Sequence, residues 1–149
     1  MNEDEKWMSF ALQQAIKAEK EGEVPVGAIL VKEGRLISAA YNQPISTNDA
    51  TAHAEIQLLR DAGKKLKNYR LNETSLYVTL EPCAMCLGAI MHARIKRVIF
   101  GAYDQKTGVC GSSENLVNAQ CFNHKITLVS GVLETESKKL LKNFFTSRR

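Results

Sequence analysis

The stretch SLYVTLEPCAMCLGAIMHA, residues 75–93, decides the fold of this chain. Its first part, residues 75–80, has the β-branched and aromatic composition of a strand, and a Glu-Pro dipeptide follows at once. Proline suits the first position of a helix, so we expect a helix from about Cys83 to Ala93. A strand that runs directly into a helix begins a crossover connection, which indicates a layered α/β protein.

Predicted helices and strands alternate through the rest of the chain. Apolar residues at steps of three and four predict an amphipathic helix over 5–20, and two apolar runs around Glu33-Gly34 predict a β-hairpin. Thr51 can cap a helix that runs to about Lys65. The other expected elements are hairpin strands over 26–32 and 35–41, a strand over 97–101, a loop over 102–113, a short helix over 114–119, a strand over 125–130 and a helix over 134–145. This order predicts an α/β layer fold with a mixed sheet.

Composition indicates one soluble globular domain over residues 1–149, with 44% hydrophobic and 24% charged residues. No stretch reaches the roughly 18 apolar residues of a membrane span, and the start, MNEDEK, is acidic where a secretory signal is basic. We therefore expect a cytoplasmic protein whose four cysteines remain reduced. A net charge of +4 permits a nucleic-acid partner without requiring one.

Four residues form the pattern that carries chemistry: His53, Glu55, Cys83 and Cys86. Two cysteines three apart at a helix start present both sulfurs on one face, where the helix dipole favours thiolates. Three nitrogen or sulfur ligands with a nearby carboxylate are typical of a catalytic zinc, which keeps one position for water. Glu55 is then the natural proton carrier, provided that the helix start bends, because helical residues two apart point about 200° apart.

Less specific interpretations of the same residues exist. The CxxC pair could be a redox pair, although the upstream His and Glu favour a metal. Cys110 and Cys121 could complete a four-sulfur site, but each lies alone in a loop, so we expect them to be small apolar fillers.

The segments HAEI and EPCAMC resemble the cytidine deaminase superfamily, whose pattern is HxE followed by PCxxC. The likeness extends to the branch that deaminates adenosine in bacterial tRNA and covers nearly the whole chain. The matching segments, in order, are GEVPVGAILV, NQP, TAHAEI, NYRL, LYVTLEPCAMC, RVIFGAYDQKTG, FNH and NFF. The resemblance implies a three-layer α/β/α fold with a five-stranded mixed sheet between helices, one Zn²⁺ per chain, and a homodimer.

The resemblance also implies the reaction. His53, Cys83 and Cys86 hold zinc, and the bound hydroxide attacks C6 of adenine. Glu55 takes the proton of the water, delivers it to N1 and then to the departing ammonia, so the product is inosine. The implied target is the wobble adenosine of the tRNA anticodon stem-loop, which is already single-stranded. The implied substrate-binding residues are Asn42, Asp104, Lys106, Asn123, Phe145 and Arg149.

The C-terminal helix has an apolar stripe that ends in two adjacent phenylalanines, Phe144 and Phe145. Both cannot face the core, so we expect one to pack inside and the other to lie at the rim, with Arg148 and Arg149 reaching RNA phosphates or a base.

Two other functions remain open from the residues alone. One is a deaminase of free nucleosides or bases that uses the same zinc apparatus. The other is a zinc-stabilised RNA-binding module without catalysis.

Overall fold

The computed structural model describes residues 1–148, so Arg149 and its predicted RNA contact lie outside the described residues. Ten helices and strands follow one another along this part of the chain. They are α1 (Glu3–Lys20), β1 (Gly27–Lys32), β2 (Arg35–Tyr41), α2 (Pro44–Thr47), α3 (Ala54–Leu66), β3 (Thr74–Leu80), α4 (Ala84–His92), β4 (Arg97–Ala102), β5 (Thr127–Val129) and α5 (Glu134–Ser147). No helix among them is both long and apolar enough to cross a membrane.

The five strands form one mixed sheet in the order β2-β1-β3-β4-β5. β1 pairs antiparallel with both β2 and β3, whereas β3, β4 and β5 run parallel. The turn between β1 and β2 places Glu33 and Gly34 at φ 52° and 72°, the left-handed conformation that a tight hairpin turn requires. The predicted hairpin, crossover and mixed sheet are confirmed.

Helices cover both faces of the sheet, because alternate residues of the strands point to opposite sides. On β1, Ala28 and Leu30 join the core beneath α3 and α4, whereas Ile29 and Val31 join the core beneath α1. α1 approaches closely at Gly27, where a Cβ atom would lie 2.1 Å from the backbone oxygen of Ala11. The three-layer α/β/α arrangement with a five-stranded mixed sheet is thus confirmed.

Some sequence expectations are wrong in detail. Residues 114–119 do not form a helix, because the backbone N–H groups of Glu114 and Leu116 donate to Gly108 and Val109 of the preceding loop. Thr51 does not cap α3: its N–H and hydroxyl donate to the Asp49 side chain, and α3 begins after His53.

The remaining differences are smaller. The turn-rich stretch after β2 contains the short helix α2, with proline at its start, and β5 is shorter than expected. Cys110 is buried, as a filler should be, but Cys121 is exposed.

Candidate active site and metal centre

His53 and Glu55 lie at the beginning of α3. His53 is the N-cap residue, with extended backbone angles (φ −68°, ψ 156°), and the helix begins at Ala54. Because His53 is not helical, the 200° divergence expected for two helical positions does not apply. Both side chains line one cavity, so the bend that the sequence required is present.

Cys83 and Cys86 lie at the beginning of α4 in the same manner. Cys83 is the N-cap residue (φ −82°, ψ 175°), and Cys86 lies in the first helical turn. α4 follows directly after β3 and α3 packs beside α4 on the same face of the sheet, so the two helix N-termini meet. Both helix dipoles present their positive ends to the thiols.

The ligand atoms of His53, Cys83 and Cys86 all lie within 4.8 Å of one another. His53 Nδ1 is 3.6 Å from Cys83 Sγ and 3.5 Å from Cys86 Sγ. Zn–S bonds of about 2.3 Å and Zn–N bonds of about 2.0–2.1 Å, at tetrahedral angles, place nitrogen and sulfur about 3.5 Å apart. The three residues therefore fit a zinc ion. Cys110 and Cys121 are not part of this group, which excludes the four-sulfur site.

The thiols and the imidazole perturb one another's protonation. Hydrogen bonds with Cys86 and with His53 together lower the pKa of Cys83 to about 4, while burial opposes the change. The pKa of Cys86 is raised, because its thiol is hydrogen-bonded to Cys83 and is buried. The hydrogen bond to Cys83 raises the pKa of His53. The lowered pKa of Cys83 favours the thiolate form that a metal ligand requires, and a bound metal would favour ionisation of Cys86 as well.

Glu55 is a buried carboxyl, with 4% of its surface exposed. Burial raises its pKa to about 7, and hydrogen bonds and the neighbouring His53 oppose part of this rise. A bound divalent cation would lower this pKa again, because it favours the ionised form. A carboxyl that titrates near neutral pH in a cavity can both accept and donate a proton.

The cavity at these residues has a volume of about 210 Å³. It is lined by Val24, Val26, Asn42, His53, Glu55, Leu80, Glu81, Cys83, Asp104 and Thr107. A larger cavity of about 780 Å³ adjoins it and shares four of these residues: Val24, Leu80, Asp104 and Thr107. The larger cavity is also lined by Lys106 and Phe145. Four of the predicted substrate-binding residues, Asn42, Asp104, Lys106 and Phe145, thus line two neighbouring cavities, one of which contains metal ligands.

Asn123 is not brought to this place within one chain. It lines a third cavity, of about 400 Å³, at the other end of α4. There its backbone oxygen accepts a hydrogen bond from Arg94 at 2.6 Å.

The two adjacent phenylalanines of the C-terminal helix differ in exposure, as expected. Phe144 is 6% exposed and Phe145 is 51% exposed, with their rings edge to face at 5.3 Å between centroids. The Arg148 guanidinium lies 4.2 Å from the centre of the Phe144 ring, so this cation covers the buried ring.

Sequence reasoning missed two buried carboxylates beside the site. Glu23, 1% exposed, accepts hydrogen bonds from the backbone N–H groups of Ile45 and Ser46 at the start of α2. Glu81, 2% exposed, accepts hydrogen bonds from a loop after β4. The sequence signal for Glu81 was an acidic residue at the end of an apolar run, which also occurs at exposed strand ends; Glu23 follows the charged residues at the end of α1 and has no such signal.

Comparisons with known proteins agree with this geometry. The family described as the cytidine and deoxycytidylate deaminase zinc-binding region matches residues 1–102. The tRNA-specific adenosine deaminase of Haemophilus influenzae is 51% identical over 98% of this chain and 85% of its own length. That of Bacillus subtilis is 45% identical over 100% of this chain and 92% of its own length.

A solved structure supports the same assignment. It comes from a study of A-to-I editing by tRNA:A34 deaminases at the wobble position of transfer RNA. It is 43% identical, covers 91% of this chain and 99% of its own, and superposes with a TM-score of 0.89. The chain therefore belongs to the family of tRNA-specific adenosine deaminases, within the zinc-binding cytidine and deoxycytidylate deaminases.

Proposed function

We propose that this protein converts adenosine to inosine at the wobble position of the tRNA anticodon by zinc-dependent hydrolytic deamination. The observation that carries the proposal is that Glu55 lines one cavity with His53 and Cys83, which together with Cys86 form a group of zinc-ligand spacing. Relatives named for this activity match along almost the whole chain.

His53 Nδ1 and the two sulfurs of Cys83 and Cys86 are the proposed ligands of one zinc ion. When bound, zinc lowers the pKa of a coordinated water, so that hydroxide is available near neutral pH. Three protein ligands would leave a position for that water, as in catalytic zinc sites.

Glu55 moves the protons. Its carboxylate accepts a proton from the water as the water oxygen bonds to C6 of adenine. The protonated carboxyl then donates to N1, takes the remaining proton from the new C6 hydroxyl and passes it to the leaving amino group as the C6–N bond breaks. Water and adenosine thus become inosine and ammonia. Burial of Glu55 supports this role, because it holds the pKa of the carboxyl close to neutral.

The two neighbouring cavities supply the proposed substrate contacts. Asn42 and Asp104 lie beside the metal ligands, where the target base must enter. Lys106 and Phe145 lie in the adjoining cavity, which is suited to a flanking nucleotide through charge and base stacking. Arg149 is proposed as a further contact to RNA from the end of the chain.

We also propose a homodimer, in which α3 and α4 form the interface. Between these helices lies an open, mainly apolar groove of about 950 Å³, lined by Ile56, Leu59 and Tyr69 among others. Tyr69 is 75% exposed, and exposed aromatic residues are typical of interfaces. His92 lines both this groove and the cavity of Asn123, so Asn123 would lie beside the partner chain and could contact an RNA bound there.

Sedimentation of the purified protein tests the dimer. We expect a dimer for the wild type and a shift toward monomer for Tyr69→Ser. A wild-type monomer at working concentration would contradict the proposal.

Two general properties complete the proposal. We infer that residues 1–149 form one deaminase domain, because strands from both halves of the chain share one sheet. We also propose a cytoplasmic location, because free thiols such as Cys83 and Cys86 persist in a reducing compartment.

The decisive experiment measures inosine formation by the zinc-loaded protein on an anticodon stem-loop with a wobble adenosine. Free adenosine, cytidine and guanine serve as competing substrates, and Glu55→Gln is the matched variant. We expect turnover of the stem-loop alone, reduced by about 10²–10⁴-fold in the variant with zinc and RNA binding retained.

Other results would favour the alternatives. Turnover of a free nucleoside or base in place of the stem-loop would overturn the RNA substrate. Zinc and RNA binding without turnover, unchanged by Glu55→Gln, would indicate a binding module.

A further inference from the structure

Glu81 is a buried carboxylate that the proposed zinc chemistry does not use. It follows β3 directly and is 2% exposed. A buried carboxylate is costly unless hydrogen-bond donors surround it, so its partners indicate its purpose.

All of the side-chain partners found for Glu81 lie in one segment after β4, residues 103–113, which we call the clamp loop. Oε1 accepts a hydrogen bond from the N–H of Asp104 at 3.0 Å and another from the Ser112 hydroxyl. Oε2 accepts from the N–H groups of Cys110 at 2.9 Å and Ser112 at 3.1 Å. The two oxygens therefore join the beginning of the clamp loop to its end.

Gly108, in the middle of the clamp loop, packs against the same carboxylate. A Cβ atom there would lie 2.4 Å from Cδ of Glu81 and 2.6 Å from the backbone oxygen of Asp104. A side chain at this position would force the loop away from Glu81, so the close approach requires glycine.

The hydrogen bonds continue from Glu81 to the wall of the cavity. Oδ1 of Asp104 accepts from the N–H groups of Lys106 and Thr107, both at 3.1 Å, and Oδ2 accepts from the Thr107 hydroxyl at 2.7 Å. Asp104 and Thr107 line both the cavity of the metal ligands and the adjoining cavity. The side chains that face the substrate space are thus held in place through Glu81.

We propose that Glu81 is a positioning residue that folds the clamp loop into the wall of the substrate pocket and so sets the affinity for the RNA. The clamp loop supplies neither the three proposed zinc ligands nor Glu55. Loss of the hydrogen bonds that hold this loop should therefore weaken substrate binding more than it slows the chemical step. The identity of the substrate rests on the proposed function, whereas the role of Glu81 in ordering the clamp loop does not.

The first test is amide hydrogen exchange of the zinc-loaded protein, comparing wild type with Glu81→Gln. Glutamine keeps the size of the side chain but replaces one acceptor oxygen with an NH₂ group, which cannot accept. We expect the amides of Asp104, Cys110 and Ser112 to exchange about tenfold faster or more, since each loses its partner or a neighbouring bond. Amides of β3 and β4 should be unchanged.

The second test is steady-state kinetics on the stem-loop. We expect Glu81→Gln to raise KM about tenfold, with kcat within about threefold of wild type and one zinc per chain retained. Glu114→Gln is the matched control, because it makes the same chemical change at an exposed position just beyond the clamp loop. Ser112→Ala, which removes one of the four hydrogen bonds, should change KM in the same direction by less and remain informative if Glu81→Gln fails to fold.

The outcomes separate the two proposals. Unchanged exchange and unchanged KM in an active enzyme would overturn the role of Glu81 and leave the proposed function standing. Loss of zinc with a fall in kcat would also overturn it, because Glu81 would then act through Cys83. If the wild type deaminates no RNA, the proposed function and the RNA affinity both fail, while amide exchange still decides whether Glu81 holds the loop.

Discussion

The side-chain oxygen of Asn42 accepts a hydrogen bond from the backbone N–H of Ala54 at 2.8 Å. Ala54 is the first residue of α3 and stands between His53 and Glu55, and the His53 side chain makes no capping bond of its own. Asn42 therefore caps the helix from a distance of 12 residues. This hydrogen bond fixes the positions of His53, a proposed zinc ligand, and Glu55, the proposed proton carrier. The NH₂ group of Asn42 is left for other partners.

The two functional groups of Asn42 can be separated by substitution. Asn42→Asp keeps the accepting oxygen but loses the donor, whereas Asn42→Ala loses both. We expect Asn42→Ala to lower the free energy of unfolding by about 1 kcal/mol, the usual value of an N-cap, and Asn42→Asp to keep it. Both variants should lose activity on the stem-loop if the amide donates to substrate. Chemical denaturation and kinetics check this; equal stability of the three proteins would contradict the capping role.

Zinc content should depend on Cys83 and not on Cys121. Cys83→Ser replaces a thiolate with a hydroxyl, which is a much weaker zinc ligand, so we expect zinc well below one per chain and a lower Tm. Cys121→Ser makes the same change at an exposed position outside the ligand group and should match wild type. Elemental analysis and thermal denaturation measure both effects. Full zinc occupancy in Cys83→Ser would remove Cys83 from the ligand set.

The Asp4 carboxylate should stabilise the fold in a pH-dependent way. It pairs with Arg97 at 3.1 Å and accepts from the Tyr77 hydroxyl at 2.7 Å, joining α1 to β3 and β4. Burial raises the pKa of Asp4, but these two partners together hold it below its ordinary 3.8. Because the folded pKa is the lower one, the stabilisation is present above about pH 4 and lost as the pH falls through the folded pKa.

Asp4→Asn tests this contribution. We expect the free energy of unfolding to fall by about 0.5–1 kcal/mol at pH 7, since the pair is partly exposed, and the difference from wild type to shrink below pH 4. Glu3→Gln, at an exposed position in the same helical turn, is the control and should change little. Urea denaturation between pH 2.5 and pH 7 is the measurement. A difference that does not vary with pH would show that charge is not the cause.

The adjacent phenylalanines of α5 should have opposite roles. Phe145→Ala should weaken stem-loop binding about tenfold, since stacking on one base contributes about 1–3 kcal/mol, with zinc content and stability unchanged. Phe144→Ala should instead lower the free energy of unfolding by about 3 kcal/mol, because it removes a buried ring. Each variant is the control for the other in binding and denaturation measurements. Equal losses of stability would remove Phe145 from the RNA surface.

Much of the fold and the metal site could be predicted from the sequence. The CxxC spacing at a helix start places two sulfurs on one side by helix geometry alone, and composition separates strands from helices. The exposure of one terminal phenylalanine also follows from local geometry, because adjacent helical positions point about 100° apart.

The expected helix over 114–119 does not form, because backbone groups at its start bond to the preceding loop. The N–H groups of Glu114 and Leu116 donate to the carbonyl oxygens of Gly108 and Val109 in the clamp loop, whose two ends are hydrogen-bonded to Glu81. The helix propensity of residues 114–119 carries no information about such contacts.

The sequence by itself determined which atoms are available: two thiols at helix spacing, an imidazole and a carboxyl two residues apart. Only the tertiary structure decided how they meet. His53 is extended because it precedes the helix that Asn42 caps, and Glu81 closes the clamp loop from 23 to 31 residues away. Spacing along one element determines direction locally, whereas hydrogen bonds between distant segments exist only after the sheet has brought those segments together.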